Sequence, residues 1–198
     1  MLDELLATPG VEERSVLRSR VGFLAPHGGL ERATAEIAEL AADAADASFY
    51  AVVQPPDFRW HVPSHRFDPS HSDALAAFLG HVSVVVALHG YGREGFWTRL
   101  LCGGANRGPV VGLAARLRVA LPDYEVVDDL AGIPEPLRGV HPGNPVNRVA
   151  GGGVQLELPP RVRGLGPYWS GERAVPIGGF APHTAALVGA LATWAQTR

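Results

Sequence analysis

Lysine is absent from this 198-residue chain; all 17 of its basic side chains are arginine. The absence excludes a lysine Schiff base and a phosphate loop of the Walker type, since both need an ammonium group. Cys102 is the single cysteine, so no disulfide can form within the chain, and its apolar setting after Leu100 and Leu101 marks a buried, inert thiol. Long apolar runs are also missing, because charge or glycine interrupts every hydrophobic stretch well short of a membrane span. Met1 to Leu6 is acidic where a secretion signal would be basic, which sets the expectation of a cytoplasmic protein without membrane contact. No basic run offers a stripe that could track phosphates, and a formal net charge of −3 opposes non-specific nucleic-acid binding.

What the chain does contain is enough apolar material, 46% of its residues, to bury one compact core, and a single domain over residues 1–198 is expected. A short helical segment opens the chain. Apolar runs predict strands at Val21–Ala25, Ser48–Gln54, Val82–Leu88, Thr98–Leu101, Tyr124–Val127 and Gly153–Leu158. Helices are expected at Arg32–Ala47, with Ala33, Ile37, Leu40, Ala41 and Ala44 on the packed face, and at Asp73–Leu79, Pro109–Ala120 and Pro182–Gln196. Gly132–Asn147 reads as a long loop, and a glycine-rich excursion runs up to Phe180. Strands alternating with helices predict an α/β fold with a mixed, mostly parallel twisted sheet flanked by helices.

Two junctions carry the chemistry. Leu24-Ala25-Pro26-His27-Gly28-Gly29-Leu30-Glu31 empties an apolar strand into an imidazole and a carboxylate, and Val82 to Leu88 ends in His89-Gly90. Strand ends are where α/β proteins place their sites. A single histidine there is commonly a hydrogen-bonded structural residue, and Glu31 alone suits the positive end of the following helix. The recurrence of the strand-His-Gly junction is what turns the reading toward metal: two histidines and one glutamate form a catalytic zinc set with an open fourth position.

Together, Pro26-His27-Gly28-Gly29-Leu30-Glu31, His61-Val62-Pro63-Ser64 with Phe67-Asp68, Leu88-His89-Gly90, Asn144-Pro145-Val146-Asn147-Arg148 and Gly153-Val154-Gln155-Leu156-Glu157-Leu158 resemble, in order, the poly-γ-glutamate hydrolase family of phage and bacterial proteins. The resemblance spans Val21 to Arg163 and implies a core like that of zinc carboxypeptidases. It implies Zn²⁺ held by His27, Glu31 and His89, Glu157 as general base, and Asn147 with Arg148 gripping a substrate carboxylate. His61, Arg66 and Arg93 are further candidates for binding an acidic substrate, with His65 beside them, whereas His141 and His183 read as structural. One departure stands out: Leu30 alone separates Gly29 from Glu31, one residue fewer than the family pattern. The glycines can absorb that shortening, or it can displace the carboxylate.

The implied activity is zinc-dependent cleavage of γ-glutamyl amide bonds in poly-γ-glutamate or a related acidic peptide. The alternatives are hydrolysis of a small N-acyl amino acid by the same metal chemistry, and a virion-associated binding module without turnover. If the chain is phage-derived, it would be released by lysis. Oligomeric state is not legible in the sequence.

Overall fold

The computed structural model describes residues 1–165 and 181–198; the glycine-rich stretch expected up to Phe180 lies largely outside them. The elements are α1 (Leu2–Leu6), β1 (Glu12–Val16), β2 (Val21–Gly28), α2 (Thr34–Ala45), β3 (Ser48–Val53), α3 (Asp73–His81), β4 (Val84–Gly90), β5 (Arg99–Gly103), α4 (Arg107–Ala120), β6 (Glu125–Val127), β7 (Gly153–Leu158) and α5 (Pro182–Ala195). Seven strands form one sheet in the order β1-β3-β2-β4-β7-β5-β6. β3, β2, β4 and β7 run parallel to one another, β5 is antiparallel to β7 and parallel to β6, and β1 pairs antiparallel with β3. The architecture is the expected α/β fold with a mixed, mostly parallel sheet.

The central strands are continuous apolar runs because both faces of the sheet are covered. On one face Phe23, Phe49, Val86 and Leu156 pack under α2, α4 and α5; on the other Leu24, Tyr50, Val85 and Ala87 pack against α1 and α3. All eight residues of β2 are buried. Cys102 is buried too, and burial pushes its thiol up to about 12, which fits the inert role expected. Among the described residues no helix is long and apolar enough to cross a membrane.

Two elements differ from expectation. On α2 the buried face is Thr34, Ala35, Ile37, Ala38, Ala41 and Ala42, while Leu40 and Ala44 are exposed. Small side chains face inward there because α2 lies close on β2 and α5. β1 was not expected, since Glu12-Glu13-Arg14-Ser15-Val16 lacks an apolar alternation and every residue is exposed. It is an edge strand, and charged side chains protect such an edge from pairing further.

From β2 the chain passes to β3 on one side and later to β4 on the other, so the direction of strand order reverses between β2 and β4. In α/β sheets the crevice for ligands forms at such a reversal, outside the carboxyl ends of the strands. His27 and His89 occupy those two ends.

The turn after β2 is tight. Glu31 N donates to His27 O at 2.8 Å, closing it within four residues. Gly29 takes φ +76°, and a Cβ there would stand 2.0 Å from the Gln54 carbonyl oxygen. Ala33 also adopts a positive φ of 70° as the residue capping α2. With Gly29 and Ala33 in left-handed backbone, this short turn still brings Glu31 back to the end of β2 beside His27. Gly29→Ala is expected to lower unfolding free energy by at least about 1–2 kcal/mol, the cost of left-handed backbone alone, before the clash is relieved. Urea unfolding of the variant beside the parent checks this.

Candidate active site

The cleft at the β2 and β4 ends has a volume of about 770 Å³ and is walled by His27, Glu31, His89 and Glu157, with His61, His65, His141, Asn144 and Gln155 around them. Glu31 sits at its centre. Its Oε1 lies 2.9 Å from His27 Nδ1, and its Oε2 lies 3.4 Å from His89 Nδ1 and accepts from the Gly90 amide at 2.8 Å. The ligand-type atoms of His27, Glu31 and His89 all lie within 4.8 Å of one another.

His27 is held by a chain of contacts that begins at the end of β3. The Gln54 side chain donates to Trp60 O at 2.8 Å and accepts from Trp60 N at 3.0 Å, fastening the following loop. That loop presents Val62 O, 2.7 Å from His27 Nε2. A carbonyl can only accept, so Nε2 carries the proton and the neutral ring leaves a lone pair on Nδ1, facing the Glu31 carboxylate. Two acceptors 2.9 Å apart repel unless a cation or a proton stands between them. His89 adds a second imidazole, and its Nε2 is buried without a hydrogen-bond partner among the described residues. Two imidazoles and a carboxylate, with one imidazole oriented by a backbone carbonyl, are the donors of a metal site, and the arrangement fits a divalent ion.

Electrostatics point the same way. Burial raises the Glu31 carboxyl, yet positive charge placed on the His27 side, where a proton or a cation must stand between Nδ1 and Oε1, together with the contact to His89, outweighs it and holds the group well below the ordinary carboxylate range. Burial opposes charge on His89, but Glu31 and Glu157 raise it overall. Glu157 is 3% exposed, and burial pushes its carboxyl up to about 7, with Glu31 adding to the rise and His89 and Gln155 opposing it. A carboxyl poised near neutrality in a cleft is suited to exchanging protons. Behind Glu31, the buried Arg163 donates to Arg32 O and Tyr91 O at 2.7 and 3.2 Å, in space that a side chain on Gly90 would fill.

The structure brings His27, Glu31, His89, Glu157 and His61 together; the His61 ring lies 4.6 Å from that of His27. His65 lines the cleft as well, whereas Arg148, Asn147, Arg66 and Arg93 lie outside the cleft wall. Arg148 donates to Asp68 Oδ2 at 2.9 Å and to Gly143 O at 3.0 Å, so its fork is committed to the loop. Asn147 accepts from Ala105 N and donates to Gly139 O and His141 O, a backbone clamp. Arg66 is exposed at the end of a 3-10 turn, and Arg93 is exposed with its guanidinium 6.0 Å from the Phe96 ring. His141, expected to be structural, instead lines the cleft, 4.6 Å from the His65 ring. Asn144 and Gln155 were not singled out. For Gln155 the available signal was its place two residues before Glu157 on an alternating strand, hence on the same face.

A family model described as poly-gamma-glutamate hydrolase matches residues 3–165. The chain is similar to the solved structure of a bacteriophage poly-gamma-glutamate hydrolase, with 21% identity, a TM-score of 0.77, and coverage of 98% of this chain and 92% of that one. It is also similar to a protein named YNDL in a zinc-free apo form, at 22% identity and TM-score 0.74, covering 93% and 89%. A metallo-carboxypeptidase from Burkholderia cenocepacia shares the fold at 14% identity and TM-score 0.50, covering 99% of this chain and 68% of that one. No curated protein sequence matches the chain.

Proposed function

The chain belongs to the poly-gamma-glutamate hydrolase family, and from that membership we propose that this hydrolase is zinc-dependent and cleaves γ-glutamyl amide bonds in poly-γ-glutamate or a related acidic peptide. The observation that carries the reading is the convergence of His27, Glu31 and His89 beside a buried Glu157 in one open cleft. His27, Glu31 and His89 would hold the ion, and borderline-soft imidazole donors favour zinc over hard ions that prefer all-oxygen sites. When bound, zinc supplies the Lewis acidity that polarises a carbonyl and acidifies water.

The chain's own groups do the rest. Glu157 takes a proton from the attacking water and returns it to the nitrogen of the leaving amine, so that water adds across the C–N bond and no proton is left over. Its raised pKa matches both halves of that transfer. Each residue of poly-γ-glutamate carries a free carboxylate, and His61, His65 and His141 line the cleft as hydrogen-bond donors for such groups. Arg148 and Asn147 act in this reading by shaping the loop rather than by touching substrate. The buried carboxyl also weighs against a module that only binds, which has no need of a group so costly to bury.

One zinc per chain is expected from elemental analysis, and His89→Ala should abolish its retention; full occupancy in both His27→Ala and His89→Ala proteins would sink the assignment. Glu157→Gln keeps size and hydrogen bonding but cannot accept the proton. Its turnover on poly-γ-glutamate should fall about 10²- to 10⁴-fold with zinc content unchanged.

A further inference from the structure

Three polar side chains of the cleft wall are almost fully buried: Asn144 at 3%, Gln155 at 4% and Glu157 at 3% exposure. They are joined in series. Asn144 Nδ2 donates to Gln155 Oε1 at 2.6 Å, and Gln155 Nε2 donates to Glu157 Oε1 at 2.8 Å.

The direction of this series is fixed at both ends of the amide pair by backbone groups that have only one hydrogen-bonding character. The Val146 N–H can only donate, and it lies 3.2 Å from Asn144 Oδ1, so that atom is the oxygen and Nδ2 faces Gln155. The Leu137 carbonyl can only accept, and it lies 3.3 Å from Gln155 Nε2, so that atom is the nitrogen and Oε1 faces Asn144. The two anchors are independent and they agree. Both N–H groups of the Gln155 amide are then committed, one to Leu137 and one to Glu157.

The surrounding fold is shaped to hold this arrangement. Asn144 caps the 3-10 turn Pro145–Asn147 with the same Oδ1 that fixes its polarity. Gly139 takes φ +63°, and a Cβ there would stand 2.6 Å from Gln155 Cβ, so only glycine leaves room for the amide.

A proton on Glu157 Oε1 would set O–H against N–H. Oε1 is therefore held as an acceptor, while Oε2 makes no hydrogen bond among the described residues of this cleft-lining side chain. We propose that Asn144 and Gln155 are positioning residues that dictate which oxygen of Glu157 exchanges the proton, reserving Oε2 for the cleft. The proposal rests on the reading of Glu157 as general base.

Gln155→Met keeps the length and removes the donor. Asn144→Asp keeps the shape and the Val146 cap but sets an acceptor against Gln155 Oε1, which turns the amide over and offers its oxygen to Glu157. In zinc-loaded protein each variant should lose about 10- to 100-fold in kcat, the usual scale for a supporting partner, with KM within about twofold and zinc content unchanged. A ¹⁵N–¹H spectrum of metal-free parent protein should show the Gln155 side-chain amide protected from exchange, and Asn144→Asp should shift it. The proposal falls if both variants turn over at the parent rate, if kcat and zinc content fall together, or if that amide exchanges freely in the parent. Should Gln155→Met fail to fold, Asn144→Asp and the parent spectrum still decide. Glu157→Gln separates the two ideas: full activity in it overturns the general-base reading, whereas an inactive Glu157→Gln beside a fully active Gln155→Met overturns only the positioning role.

Discussion

The carboxylate of Glu31 ties together the two strand ends on which the cleft is built. One oxygen engages His27 at the end of β2, and the other engages His89 and the Gly90 amide at the end of β4. Its own carbonyl accepts from the Thr34 hydroxyl at 2.7 Å, which fixes the start of α2 to the same point. β2 and β4 pair from Val21↔Val84 to Leu24↔Ala87, and beyond that register no ladder bond holds the ends together. A side chain supplies what the ladder stops supplying, and its geometry sets the spacing of the two imidazoles.

That arrangement depends on residues with no chemistry of their own. Gly29 and Ala33 adopt left-handed backbone on either side of Glu31, and backbone of this kind persists only where the surroundings over-determine it. Here the determinants are the 2.8 Å bond closing the His27–Glu31 turn and the packing of α2 on β2. Gln54 plays a comparable part at a distance: by fastening Trp60 it delivers the Val62 carbonyl that sets the tautomer of His27. The metal-type donor set is thus assembled from β2, β4 and the β3 exit loop, and each contribution would be idle without the others.

How much of this was legible follows from the range of the interactions. Uninterrupted apolar runs ending in His27-Gly28 and His89-Gly90 reported buried parallel strands, because burial on both faces erases alternation. The short apolar patterns are local and so were the successes. Helical periodicity puts Leu40 on the packed face of α2 with Ile37 and Ala41, but the close approach of α2 to the sheet favours Ala38 and Ala42 there. β1 could not be read because an exposed edge strand needs no apolar residues. Arg148 reads naturally as a carboxylate clamp in its motif, yet its partner Asp68 lies 80 residues away in sequence. Gln155 becomes significant only once the loop after β6 carries Asn144 back over β7.

The two faces of the sheet consequently bear different constraints. Under α2, α4 and α5 the core is apolar, and its demand is volume. The opposite face around β4 and β7 carries His89, Gln155 and Glu157, where each buried polar atom needs a partner of the correct character. Glu157 has one oxygen fixed by Gln155, and its pKa is raised by burial, and by the nearby Glu31 charge, where only one neighbour among the described residues donates to it. A carboxyl fully satisfied by donors would be held ionised and would be a poor proton acceptor near neutral pH. Incomplete solvation by the protein is therefore what would let the group exchange a proton in the proposed reaction, and the Gln155 amide engages one of its two oxygens.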